Sequence, residues 1–324
     1  MGNESKPLVS TVIPTRFRPE LVCRAVRSVL NQSHQEIEAI VVIDGPDEGT
    51  KNALASIVDP RLRVIPLEQN QGGAEARNIG VREARGKWIA FLDDDDEWLP
   101  EKITTQIAVA ETATEPHPVI FSRVIARNPV VDMIWPRRLP ALDERMSEYL
   151  FCRKGFTYGD AFLQTSTFFV SKALMLEVPF QKGLKRHQDW DWLLRMSEYP
   201  GTRVHVIPEP LVIFYLEDQR SSVSRAADWE FSVNWAHTNQ SRITRKAFSY
   251  FIATECVPRA NISAAGFAAY VRLMKEFLVK GSPRLNSIML FFGFWLLPEG
   301  RRRKIRNTLT KWKQSVSAPV SQQV

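Results

Sequence analysis

The chain has 324 residues, 44% of them hydrophobic and 24% charged, with three cysteines and a net charge of +7. These proportions fit an ordinary folded protein with a sizeable core, one large domain or one domain with an appendage, and exclude a disordered or disulfide-built chain. From Val271 to Val324 there are 11 Lys/Arg against 2 Asp/Glu, a net of +9, which leaves the first 270 residues at −2. A near-neutral body with a basic end argues against a nucleic-acid groove in the body and toward an anionic surface met by the tail. Cys23, Cys152 and Cys256 make no C-x-x-C pair, so a reducing compartment is expected. The opening MGNESK lacks a basic-then-apolar leader, and no apolar run reaches the ~20 residues needed to span a bilayer, so the expected location is the cytoplasm.

Along the chain, LVSTVIPT (8–15) reads as a buried strand, and PELVCRAVRSVLNQS carries a helical apolar stripe. EAIVVID reads as a second strand, stopped by the turn cluster GPDEG, and RLRVIPLE as a third. GGAEARNIGVREA reads as a helix opened by two glycines, KWIAFLD as a fourth strand, and PEKITTQIAVAE as a helix with Pro100 at its first position. Apolar strands alternating with helices predict an α/β fold with a doubly wound, mostly parallel sheet. The second half is less regular: TSTFFVS reads as a strand, QDWDWLLRMSEY as a helix, and RVHVIPEPLVIFYL as a strand with a proline break. After about Asp228 the pattern turns helical.

In doubly wound sheets ligands bind beyond the carboxyl ends of the strands. Polar punctuation falls there four times: Pro14-Thr15, Asp44-Gly45, Asn70 to Gly73, and Asp93 to Asp96. The four consecutive aspartates admit three readings. One is a solvated turn or helix cap. A second is a calcium loop, which lacks its spaced D-x-D-x-D-G pattern here. The third is a divalent cation site holding a diphosphate. Residues two apart on an extended segment point to one side, so Asp93 and Asp95 could share a hard cation such as Mg²⁺ or Mn²⁺.

The stretches VSTVIPTRFRPELVCRAVRSVLNQS, VVIDGPDEGT, NQGGAEARNIGVREARGKWIAFLDDDDEWLPEKI and QDWDWLLR, in this order and spacing, resemble the successive motifs of glycosyltransferase family 2. The resemblance covers about 8–224 and implies a GT-A fold with a nucleotide-sugar crevice. It implies a GT-A domain over 1–228, with a nucleotide half at about 8–115 and an acceptor half at about 116–228, before a helical, basic region at 229–324. On its terms Pro14 and Thr15 line the nucleotide pocket. Asp44 hydrogen-bonds the base, although Ile43 stands where the family usually shows a further acidic residue. Arg77 and Asn78 contact the nucleotide or its phosphates, and Gly72 and Gly73 let backbone approach it. Asp93 and Asp95 form the metal-binding D-x-D pair, Asp94 reaches the ribose, and Asp96 caps the following helix. Relatives often carry a histidine or basic residue in the stretch EDQRSSVSR; this chain has no histidine there, so Arg220 is the substitute near the diphosphate.

Sugar transfer also needs a base for the acceptor hydroxyl. Asp189 and Asp191 sit about 200° apart on a helix, so only one can face the crevice. Asp191 is four residues before Arg195, the spacing of a surface ion pair. Asp189 shares a side with Trp192, Leu193 and Met196, and the resemblance places the family's acidic residue there, which makes it the catalytic base. His187 reads as a substrate contact or a surface residue, and Trp190 and Trp192 as core or as a platform for acceptor sugar.

The expected function is therefore an inverting, Mn²⁺- or Mg²⁺-assisted glycosyltransferase, with a UDP- or dTDP-type donor and a glycan or lipid-linked saccharide acceptor. Its rivals are a sugar-phosphate nucleotidyltransferase, which would want a glycine in PTRFRPE, and a non-catalytic membrane-surface adaptor. In the tail, the apolar run 288–297 precedes Arg301 to Arg306. It reads either as a core helix or as an interfacial segment with Phe291, Phe292, Phe294 and Trp295 at an anionic membrane.

Overall fold

The computed structural model describes residues 8–153, 155, 159–216 and 228–297. The elements in chain order are β1 (Val9–Thr15), α1 (Pro19–Leu30), β2 (Ile37–Ile43), α2 (Glu48–Ala55), β3 (Leu62–Pro66), α3 (Gly73–Glu83), β4 (Trp88–Phe91), β5 (Glu97–Trp98), α4 (Lys102–Thr112), β6 (His117–Arg127), β7 (Met133–Trp135), α5 (Met146–Phe151), β8 (Phe169–Ser171), α6 (Lys172–Glu177), α7 (Gln188–Met196) and β9 (Thr202–Tyr215). Among the described residues five further α-helices follow, α8 (Trp229–Thr238), α9 (Arg245–Phe251), α10 (Val257–Ile262), α11 (Phe267–Val279) and α12 (Leu285–Leu296), with a π-helical segment Ile252–Cys256 between α9 and α10. Contacts divide the chain into two units, Met1–Leu150 with Thr157–Ser224, and Phe151–Phe156 with Arg225–Val324. The second unit thus recruits a short segment from the middle of the chain: the Phe151 ring packs 5.1 Å from Phe251 and 6.4 Å from Trp235.

The first unit is built on one mixed sheet with strand order β3-β2-β1-β4-β8-β6-β9-β5, and β7 pairs with the end of β6. The strands β1, β2, β3 and β4 are parallel, as the sequence reading of a doubly wound sheet expects. Successive side chains on β1 alternate between two covered faces. Ile13 joins α1's Val22, Val26 and Val29 on one side, and Val12 meets α3 on the other. That second contact explains Gly80 in ARNIG: a Cβ there would lie 2.3 Å from a Val12 methyl, so only glycine lets α3 approach the sheet this closely.

Several elements differ from the sequence reading. The cluster GPDEG opens α2, because Asp47 accepts the Thr50 amide at 3.0 Å as an N-cap. The helix after the aspartates opens at Lys102, two residues beyond Pro100. Of TSTFFVS, Thr165–Thr167 form a 3₁₀ turn and only Phe169–Ser171 are strand. The prolines of IPEP leave β9 continuous and mark a bulge, where its register against β6 shifts between Ser122 and Val124.

At the end of the sheet away from the crevice, Glu38 is buried on β2. Its carboxylate accepts from Ser10 Oγ (2.5 Å), the Arg85 amide (2.7 Å) and Arg63 Nη1 (3.0 Å). Burial pushes its pKa up, and the Ser10, Arg85 and Arg63 donors outweigh that and leave it lowered. Hydrogen bonds to a charged group contribute about 1.5–3 kcal/mol each, so Glu38→Gln is expected to lower stability by about 2–4 kcal/mol with an unchanged m-value in urea. Because the folded-state pKa is depressed, that contribution is present above the ordinary carboxylate range. It is lost as pH falls through the folded value, so the gap between wild type and variant narrows in acid.

Candidate active site

The crevice edge is assembled from the ends of β1, β2 and β4 and the start of α3. The Asp44 amide donates to the Thr15 carbonyl at 2.9 Å, which joins the first two strand ends. The Asp44 carboxylate is buried and gathers the loop after β3: it accepts from the Gln71 amide (2.7 Å), the Gly72 amide (3.0 Å) and Asn70 Nδ2 (3.2 Å). Gly72 adopts a φ of 86°, the left-handed region that favours glycine, and spends its N–H on Asp44. Gly73 starts α3, and a Cβ there would lie 3.3 Å from Arg77 Nη1, so its smallness leaves room for the Arg77 guanidinium. Pro14 is half-buried in β1, in register with Val42.

The aspartates do not continue β4 as an extended segment. The Asp96 amide donates to the Asp93 carbonyl at 3.1 Å, so the chain turns and the carboxylates diverge. Asp93 goes to Arg77 Nη2 (2.5 Å) and Gln164 Nε2 (3.1 Å). Asp94 accepts from Thr15 Oγ1 (2.8 Å) and Arg18 Nη1 (2.8 Å), and Asp95 from the same Arg18 nitrogen (3.1 Å). The one-sided D-x-D geometry that an extended segment would give is thus replaced by a turn with an arginine on each side. Asp96 does not cap α4: it is 1% exposed and accepts from Ser166 Oγ (2.6 Å) and Gln164 Nε2 (2.7 Å).

Asp189, in the first turn of α7, accepts the Thr165 hydroxyl. Its neighbour Gln188 accepts from Arg77 Nη1 at 2.8 Å, so Arg77 ties α7 to the aspartate turn. Burial first, and like charge in a small volume after it, shift these groups. Burial, with Asp95 adding and Arg18 opposing, pushes Asp94 up to about 6. Burial first and then Asp95 and Asp93 push Asp96 well up. Burial and Asp93 raise Asp189, against Arg77 and the Thr165 hydrogen bond. Desolvation works against the Arg77 cation, but Asp93 and Asp189 outweigh it and raise its pKa.

Other expected site residues fall elsewhere. Asn78 is buried, and both ends of its amide are committed to the Phe180 backbone: Nδ2 donates to the carbonyl and Oδ1 accepts from the amide, each at 2.9 Å. It holds α3 to the chain before α7. Trp192 is fully buried, donates Nε1 to the Val178 carbonyl at 2.7 Å and packs on Phe168 and Phe180, so it is core and no sugar platform. The Asp191–Arg195 pair forms at 2.8 Å, but Asp191 is buried and the pair is not a surface one. His187 is buried as well, in a left-handed conformation, stacked on Trp190 at 4.8 Å. Arg220 lies outside the described residues. The sequence reading missed Arg18, Gln164, Thr165 and Ser166. Arg18 could have been found as the basic residue beside the first strand end, whereas the polar run QTST carries no local signal, since its role comes from lying across the sheet from β4.

The fit of a metal can be tested on the donors. Asp93 and Asp95 keep about a quarter of their side chains exposed, 26% and 27%, so each is reachable. Among the described residues no group of three or more His, Cys, Asp and Glu is arranged to hold an ion. Mg²⁺ commonly takes one or two carboxylates and completes its shell with water and phosphate oxygens, so the donor chemistry fits a hard cation that arrives with a diphosphate.

The fold is shared with the solved structure of TarS 1–349 from S. aureus: TM-score 0.54 over 89% of each chain, at 16% identity. Residues 10–176 match the family model described as "Glycosyl transferase family 2", more than half of the chain, and the protein belongs to that family. The amylovoran biosynthesis glycosyltransferase AmsB of Erwinia amylovora is 24% identical over 290 residues, 86% of this chain and 93% of that one. The UDP-Glc:alpha-D-GlcNAc-diphosphoundecaprenol beta-1,3-glucosyltransferase WfaP of Escherichia coli is 36% identical over 105 residues, 32% of this chain and 42% of that one. The protein is a glycosyltransferase, and the family match stands against the nucleotidyltransferase and adaptor readings.

Arg77 is the cation between Asp93 and Asp189, and removing one partner of a buried pair typically costs about 3–5 kcal/mol. Arg77→Leu is expected to lose about that much in urea unfolding at neutral pH. The deficit should shrink on acidification, as the uncompensated carboxylates take up protons.

Proposed function

We propose that the protein transfers one sugar from a UDP- or dTDP-type donor to a hydroxyl of a glycan or lipid-linked saccharide, with inversion at the anomeric carbon. The observation that carries this reading is Arg77, held at once by Asp93 at the end of β4 and by Gln188 at the start of α7. That clamp brings Asp189 within electrostatic reach of the aspartate turn. A donor diphosphate against the turn would then present its anomeric carbon toward α7. Asp189 takes the proton of the acceptor hydroxyl as that oxygen bonds to the anomeric carbon, and the bond from that carbon to the diphosphate oxygen breaks on the opposite face. The raised pKa of Asp189 strengthens it as a base, and Thr165 holds its carboxylate in place through its hydroxyl and backbone.

Asp93 and Asp95 would hold a Mn²⁺ or Mg²⁺ ion, which when bound offsets charge on the diphosphate. Thr15, Pro14 and Asp44 lie where two strand ends meet and would bound the nucleoside; Asp44, with three donors already, has one acceptor site left for a base N–H. Asp94, tied to Thr15, would face the ribose, and Gly72, Gly73 and Arg77 the diphosphate side. Arg220 keeps its place in this reading by sequence alone.

The acceptor class is supported by relatives, AmsB being named for amylovoran biosynthesis and WfaP for a diphosphoundecaprenol-linked sugar; the donor class is supported by the TarS fold, solved with UDP-GlcNAc at a TM-score of 0.50 and 18% identity. No described helix is long and apolar enough to cross a membrane. A cytoplasmic position, at the inner face of a membrane carrying a lipid-linked acceptor, agrees with Cys23, Cys152 and Cys256 standing outside any disulfide.

Two experiments test this reading. Asp189→Asn keeps the shape and loses the base, so turnover should fall roughly 10²–10⁴-fold while UDP still binds; near-normal turnover, or a product of retained configuration, would refute the assignment. UDP should raise the melting temperature more with Mn²⁺ than with EDTA, and Asp95→Ala should remove that difference. Full transfer by the wild type in EDTA would exclude the metal.

A further inference from the structure

Helix α12, LNSIMLFFGFWL, contains no charged residue. Its inner side carries Leu290 and Phe291, 3% and 0% exposed, with Phe291 packed 4.9 Å from Phe277 of α11. Trp295 lies flat on Tyr270 of α11 at 4.7 Å. Phe291 is therefore core, which corrects the interfacial reading for that residue. The other side of the helix is apolar too. Leu285, Ile288, Met289, Phe292 and Leu296 are 71%, 37%, 41%, 41% and 70% exposed. Their spacing of three, one, three and four residues puts them on one outward stripe. Phe267 of α11, 72% exposed and 6.2 Å from Trp295, continues the patch beyond the helix.

A contiguous exposed apolar stripe marks an interaction surface. The sequence indicates which kind. Arg301, Arg302, Arg303, Lys304 and Arg306 follow within ten residues of Leu296, with Glu299 the one acidic residue in that interval. An apolar stripe followed in the sequence by a block of cations suits a surface that is apolar just below an anionic layer. A twelve-residue helix rises about 18 Å, against a hydrocarbon thickness of about 30 Å, so α12 can lie along such a surface and cannot cross it.

We propose that the outward stripe of α12, extended by Phe267, docks in the plane of an anionic lipid bilayer, with the Arg301–Arg306 cluster on the headgroups. This deepens the membrane-face reading above by naming the face, and it does not depend on Asp189 or the metal. Aromatic and aliphatic side chains at the acyl boundary hold the helix down. Each Lys or Arg at an anionic leaflet strengthens binding about five-fold, so the contact is reversible and salt-sensitive.

Flotation of the full chain with phosphatidylcholine vesicles, with and without phosphatidylglycerol, tests it. Expected is flotation with the phosphatidylglycerol vesicles at low salt, most of it lost at high salt. The triple variant Met289→Ser, Phe292→Ser, Leu296→Ser changes exposed positions only, so its melting temperature should hold while flotation falls at least ten-fold. Replacing Arg301, Arg302 and Arg303 by Gln should weaken it by a factor of about a hundred, three charges at the same factor each. A triple variant that floats like the wild type would overturn the assignment of the face. So would a wild type that ignores lipid charge, or one that forms a dimer in solution, broken by the same triple variant, without floating. Transfer to a water-soluble acceptor reads the catalytic proposal separately: a triple variant that transfers normally and no longer floats supports the docking face, and a wild type that floats yet transfers nothing overturns the catalytic reading alone.

Discussion

Five carboxylates, Asp93 to Asp96 and Asp189, are gathered around two arginines, and the rest of the first unit is arranged to make that tolerable. Arg18 reaches the turn from one side and binds Asp94 and Asp95; Arg77 reaches it from the other and binds Asp93. The turn itself separates charges that an extended strand would have stacked two by two. Asp96 escapes by burial on Ser166 and Gln164, and Asp189 by the hydroxyl of Thr165. The 3₁₀ turn Thr165–Thr167 and the residue before it thus serve both the acidic turn and α7. Burial first, and the neighbouring carboxylates after it, raise the pKa values of Asp94, Asp96 and Asp189. A surplus of negative charge at a crevice is a standing preference for a cation or a cationic assembly of ligand and ion.

The scaffold delivers these groups because parallel strands end together. β1, β2 and β4 bring Thr15, Asp44 and Asp93 to one edge, and the backbone hydrogen bond from Asp44 to Thr15 locks two of them. Arg77 arrives only because α3 lies close on the sheet, which Gly80 allows against Val12, and because Gly73 leaves space for its guanidinium. Asn78, one residue on, anchors the same helix to Phe180 and so fixes the direction from which Arg77 enters. Packing at one position is in this way transmitted to charge placement at another. The aromatic layer of Phe91, Phe121, Phe168, Phe180 and Trp192 beneath the turn gives that placement a rigid floor.

The second unit follows another logic. Its helices bury Trp235, Phe251, Phe277 and Phe291, and they still leave an apolar stripe on α12 facing out. The first 270 residues carry net −2 and the last 54 net +9, so the basic charge is concentrated at one end of the sequence.

By itself the sequence determined the alternating first half, the polar strand ends and the acidic run, because apolar periodicity and turn residues are local signals. It located α2 poorly, since Asp47 caps a helix inside what reads as a turn cluster, and it misjudged Asp96, which looks like any helix-side aspartate until Ser166 and Gln164 are seen beside it. Which carboxylate meets which arginine was decided only by the tertiary structure. Arg77 and Gln188 are 111 residues apart and Thr165 and Asp189 are 24, and no periodicity encodes such pairs. The same holds for Asn78 and Trp192: their residue types suit a binding site, and burial against Phe180 and Val178 made them framework. Local pattern fixes where the chain turns and which face is apolar; the partner of a buried polar group is fixed by strands and helices that meet only after folding.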